Sequence, residues 1–157
     1  MRTSTQLEKY VTMIPPLTTT ATTAISGNTI TTAVSGGATN GGIDTLGYKR
    51  LVAVVQCGIL HASATLVVKL MECATDGGTY QDITGAATVS ITGDKDGGAM
   101  SIEVPLEGRR RFIRAVGTPG TNDSTIWSVL GILKEPITEP VTQNTAAVVV
   151  APTVAAI

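Results

Sequence analysis

A single histidine, His61, stands in a chain of 157 residues, and this limits the chemistry the sequence can host. A Ser/His/Asp or Cys/His relay needs a histidine set between a nucleophile and an orienting acid. His61 lies instead in a turn-like stretch beside Ala62 and Ser63, where a surface role is expected. Glu72, Asp76, Asp82 and Glu103 offer carboxylates, yet their neighbours single out no acid and base pair of the kind glycoside hydrolysis requires. Asp94-Lys95-Asp96-Gly97-Gly98 has the composition of a calcium loop without its later acidic ligand, so a solvated turn is expected there and at Asp76-Gly77-Gly78. Cys57 and Cys73 fit reduced thiols in a cytoplasm. No catalytic, cofactor-binding or metal-binding residue is therefore assigned, no cofactor is expected, and an enzyme is the least favoured reading.

Two side-chain groups remain. Arg109-Arg110-Arg111 and Arg114 flank Phe112 and Ile113, and guanidinium forks pair bidentately with carboxylates. Arg109 and Arg111 admit two uses: anchoring an interface, or charging a strand edge against aggregation. Trp127, Tyr80 and Tyr48 could line a sugar-binding face, but three aromatics are few, and packing in the core or its rim is the expected use.

The elements that would position these groups are strands. Asp44 to Gly47 leads into the apolar, β-branched run Leu51–Val55 within a strand over 49–57, which reads as part of a sandwich core. Gly58 to Ser63 is expected to turn the chain into a returning strand over 64–73, with Leu66, Val68 and Leu70 on one face. A hairpin of this kind would hold Cys57 and Cys73 at opposite ends, too far apart to bridge. Shorter strands follow over 80–83 and 87–92. Met100 to Leu106 alternates apolar and polar, with Pro105 marking a sheet edge. Strands over 111–116 and 125–133 complete the set, with two β-prone pieces in 18–34. The fold class expected is all-β: an antiparallel, jelly-roll-like β-sandwich over 19–134.

Composition bounds the partners. The chain is 43% hydrophobic but only 15% charged, with a net charge of −1. Globular domains average about 25% charged residues, so the surface must be rich in Thr, Ser, Asn and Ala, which another protein can cover at little desolvation cost. There is no basic footprint for nucleic acid and no apolar run near the ~18 residues of a membrane span. Met1 to Tyr10 is polar, with no apolar segment before Pro15-Pro16, so synthesis in a cytoplasm without a cleaved export signal is expected.

Both ends differ from the middle. Residues 1–18 carry the double proline, and 135–157 carry Pro136, Pro140 and Pro152 among Thr, Val and Ala. Each is expected to be an extended arm that cannot fold alone. Tyr10, Met13, Ile14 and Leu17, with Val148, Val149, Val150 and Ile157, would be the apolar anchors laid against another subunit.

The lead IDTLGYKRLVAVVQCG, the following ATLVVKLMECATDGGTYQDI and the later RRRFIRAV, in that order over about residues 43–134, resemble small β-sandwich head proteins of tailed bacteriophages. These are the capsid decoration or cement proteins. The resemblance implies a non-enzymatic virion protein on the outer capsid surface, made in the host cytoplasm and bridging subunits of the major capsid protein. A homo-oligomer is expected with it, a trimer ahead of a dimer. Alternatives are a minor head, tail or fibre component, or a carbohydrate-binding module.

Overall fold

The computed structural model describes residues 8–19, 25–26, 42–60, 62–93, 97–120 and 125–137. Ten strands run in chain order: β1 (Glu8–Thr19), β2 (Ile25–Ser26), β3 (Ile43–Asp44), β4 (Tyr48–Leu60), β5 (Thr65–Cys73), β6 (Gln81–Ala87), β7 (Ile91–Thr92), β8 (Ala99–Pro105), β9 (Phe112–Gly120) and β10 (Thr125–Pro136). They form two antiparallel sheets. The first has the order β1-β10-β4-β8. The second has the order β2-β9-β5-β6, with β3 also on β9 and β7 also on β5. Taking β2 with β3 and β6 with β7 as interrupted single strands leaves eight. Their interleaving, first-eighth-third-sixth against second-seventh-fourth-fifth, is that of a jelly roll.

Period-two alternation builds the core. Leu51, Ala53, Val55 and Cys57 of β4 and Trp127, Val129 and Leu133 of β10 point inward from the first sheet. Leu66, Val68 and Leu70 of β5 and Ile113 and Ala115 of β9 meet them from the second, and Ile102 and Val104 close one side. The single-face placement of Leu66, Val68 and Leu70 is as the sequence pattern requires. Trp127 reaches across to the second sheet, where a Cβ on Gly117 would collide with its six-membered ring.

Three expectations are corrected. The strands around Cys57 and Cys73 are not a hairpin: β4 pairs with β10 and β8, while β5 pairs with β9, β6 and β7. The chain passes from one sheet to the other after Leu60, so the two strands face each other across the core instead of lying side by side. Both cysteines are free and buried, one in each sheet.

Residues 1–18 are not wholly an arm, since Glu8–Thr19 is a strand of the sandwich, paired along β10. Pro15-Pro16 is accommodated because β1 is an edge strand, where a missing N–H can face outward. Two irregularities, between Thr12 and Ile14 and between Ile14 and Leu17, absorb the misfit. Met13 and Ile14 are 2% and 1% exposed, so they are core residues and not interface anchors. Leu17 pairs with Trp127 through the backbone. The sandwich also extends past residue 134, since Pro136 still pairs with Tyr48. Val148, Val149, Val150 and Ile157 lie outside the described residues, as do His61 and Asp94-Lys95-Asp96.

Candidate interaction surface

The two long central strands, β4 and β10, must put alternate residues on the face away from the core. On β4 these are Arg50, Val52, Val54 and Gln56; on β10 they are Lys134, Ile132, Leu130, Ser128 and Ile126. Register aligns them into rows across the sheet. One row reads Tyr10, Ile132, Val52, Glu103, and the next reads Thr12, Leu130, Val54, Ser101. Four aliphatic side chains thus lie together at the middle of the outer face. Tyr10, 39% exposed, borders them on β1, and the exposed Ile126 lies further along β10.

Polar groups frame this band. At one end Ser128 donates a hydrogen bond to Gln56 Oε1 (3.3 Å). At the other, Lys134 pairs with Glu8 (3.3 Å), and Arg50 pairs with Glu103 and with Glu135 (3.2 Å). The Tyr10 hydroxyl donates to Glu8 Oε2 (2.8 Å), fixing its ring beside the band. An apolar centre with a polar rim is the anatomy of a protein–protein interface. The sequence hides this band: in Leu51–Val55 the inward and outward residues are equally aliphatic, and only the sheet pairing separates them.

The outer face of the second sheet is different in kind. There Lys69 pairs with Asp82 (2.7 Å), and Arg114 stacks over the Tyr80 ring at 4.1 Å from its centroid. The arginines at the start of β9 find carboxylates within the chain. Arg111 forks onto Asp44, Nε to Oδ1 at 2.9 Å and Nη2 to Oδ2 at 2.7 Å, and lies over the Phe112 ring. Arg109 approaches Glu72 at 3.8 Å, and the Arg110 amide donates to the same carboxylate at 3.2 Å. Arg111 therefore ties β3 to the head of β9, and neither Arg109 nor Arg111 joins the apolar band.

The aromatics proposed for a sugar-binding face do not form a platform. Trp127 is in the core, Tyr80 is buried with its hydroxyl accepting the Gly42 amide (2.6 Å), and Tyr48 packs against the core from its rim. Among the described residues no three His, Cys, Asp or Glu side chains converge.

The Asp44–Arg111 fork has a measurable signature. The guanidinium holds the Asp44 carboxyl below its ordinary 3.8, with the Leu46 amide adding to the effect. A carboxyl depressed in the folded state contributes stability above its unfolded value and loses it as pH falls through the folded one. The pair is exposed, so that contribution is small. A carbon-detected titration is expected to place Asp44 below the value it takes in Arg111→Gln; equal values in the two proteins would show that the fork does not persist in solution.

No protein-family model and no curated protein matches the chain.

Proposed function

We propose that this is a structural, non-enzymatic virion protein that binds the outer surface of a tailed-phage capsid and bridges neighbouring major capsid subunits. One observation carries the reading: the framed aliphatic band of Val52, Val54, Leu130 and Ile132 on the outer face of the first sheet. A monomer in water has no use for four aligned, half-buried aliphatic side chains on the outer face of a sheet, and patches of this type mark interaction sites. The low charge of the chain serves the same end, because fewer ions must be desolvated when a flat surface is covered. The resemblance of its motif order to decoration proteins is what supports the major capsid protein as partner. A jelly roll alone would not, since that fold hosts lectins and enzymes as well as capsid proteins.

The same proposal includes self-association, a trimer ahead of a dimer, on the capsid surface. A minor head, tail or fibre component is the second reading, and stoichiometry separates the two. Quantitative mass spectrometry of purified particles is expected to find hundreds of copies, in fixed ratio to the major capsid protein. A handful of copies per particle would assign the chain to a minor component instead.

A further inference from the structure

The four margins of the two sheets are unequal in how they resist strand addition. The β1 margin carries Pro15-Pro16 and two irregularities. The margins of the second sheet are broken into short strands, β2 with β3 and β6 with β7. By contrast β8 runs in unbroken register with β4 from Arg50↔Pro105 to Gln56↔Ala99, and among the described residues it pairs with β4 alone. Proteins ordinarily guard such an edge with charge, proline or a bulge. β8 carries one charge, Glu103, and Arg50 of β4 pairs with it. Its one proline, Pro105, stands at the very end.

Hydrogen-bond parity fixes which backbone groups this edge presents. At one end Cys57 N donates to Gly98 O (2.9 Å), and at the other Leu106 N donates to Lys49 O (2.8 Å). Both are directly opposed pairs in the β4–β8 register, so the even-numbered residues of β8 exchange their bonds with β4. Ala99, Ser101 and Glu103 therefore turn N–H and C=O away from β4. Pro105, which has no N–H, turns its carbonyl the same way. The side chains of these four residues are exposed, while Ile102 and Val104 anchor the strand in the core.

We infer that β8 is a self-association edge: β8 of a second copy pairs with it antiparallel, about a twofold axis centred on Ser101. The occupant and the register follow from the parity. For the outward groups of two copies to meet, odd-numbered residues must stand opposite odd-numbered ones. Centring on Ser101 gives three such pairs, Ser101 with Ser101 and Ala99 with Glu103 twice, each exchanging two hydrogen bonds. Centring on Glu103 would oppose like charges directly, which destabilises a sheet. Centring on Ile102 would bring Pro105 into the ladder opposite Ala99, whose carbonyl it has no N–H to bond. In the Ser101 register each Glu103 faces a small alanine and keeps its Arg50. Pairing then stops where Pro105 of one copy meets Gly97 of the other, whose φ of 68° lies outside a strand. The row Leu130, Val54, Ser101 runs on into the same row of the second copy, joining two aliphatic bands on one face. The inference goes beyond the capsid reading, since it needs only a second copy of the chain. A twofold contact also closes at two copies, where the resemblance favours three.

Sedimentation velocity on the full chain over a concentration series tests it. The parent is expected to dimerise. Ser101→Pro removes no bond to β4, because that N–H points outward, yet it blocks the new ladder at its centre. It is expected to keep the parent's cooperative melt and to raise the dimer Kd at least about tenfold. Ala99→Lys places an opposite charge across from each Glu103 and is expected to lower the Kd, while Ala99→Glu raises it. A parent that stays monomeric at the highest concentration reached, or a trimer that Ser101→Pro leaves intact, would overturn the inference. An unfolded Ser101→Pro would overturn it too, by showing that the 101 N–H is spent within the sheet. Equal effects of Ala99→Lys and Ala99→Glu would mean that residues 99 and 103 do not face each other across the axis, which also overturns it.

Discussion

Val68→Asp is expected to yield a protein that does not fold. Val68 sits on β5, the central strand of the second sheet, hydrogen-bonded on one side to Thr88, with Gly117 of β9 as its cross-strand partner on the other. It is fully buried, and its face of the strand meets the side chains of the first sheet. A carboxylate there has neither water nor a counter-ion. Leaving a charge unpaired in such a place belongs to the small class of substitutions that cost more than about 4 kcal/mol. That is comparable with the whole stability of a domain, about 5–15 kcal/mol. Circular dichroism and a thermal melt check it: loss of the cooperative transition is expected, and a parent-like melting temperature would place Val68 on the solvent face.

Gly117→Ala is the second large effect, and it acts through shape alone. A methyl group at 117 would occupy the space of the Trp127 six-membered ring, and Trp127 is the largest fully buried side chain. Neither side can yield easily: the backbone at 117 is pinned in register between Val68 and Ile25, and the indole is enclosed. Overpacking of this sort costs roughly 1–3 kcal/mol and more when relaxation is blocked, so a fall in melting temperature of about 2–12 °C is expected for a chain of this size. The cause is separable by a cycle. Trp127→Phe should be destabilising alone yet relieve part of the Gly117→Ala cost in the double variant, giving clear non-additivity. Additive effects would mean that the ring and the glycine do not meet.

The all-β class, the two-sheet core and the inward faces of β5 and β8 are legible in the sequence because alternation is a local signal. Leu66-x-Val68-x-Leu70 and Ile102-x-Val104 declare their buried side without knowledge of any partner. Which strands pair is not local. Gly58 to Ser63 looks like a hairpin turn, yet β4 continues to Leu60 and the short link before Thr65 crosses from one sheet to the other. Pro15-Pro16 signals a break in any strand hydrogen-bonded on both sides, and loses that meaning at an edge. That signal places Met13 and Ile14 in an arm, whereas they belong to the core. The candidate surface was the least legible feature. Among the interface candidates whose side chains the structure describes, Tyr10 alone borders the aliphatic band. Val52, Val54, Leu130 and Ile132 were concealed inside runs so uniformly apolar that no residue stood out as facing solvent.

The central claim is that this band is the docking surface, and an add-back experiment tests it most directly. Val54 and Leu130 are cross-strand partners on the outer face. Replacing them together as Val54→Lys and Leu130→Glu substitutes an opposite-charge pair, which preserves strand pairing while removing the apolar contact. Parent and variant are added separately to capsids stripped of this protein, and occupancy is measured against concentration. The variant is expected to keep the parent's cooperative melt and to bind at least about tenfold more weakly, the loss of roughly 1.4 kcal/mol or more from an interface centre. A folded variant that decorates the capsids with the parent's affinity and occupancy would contradict the account.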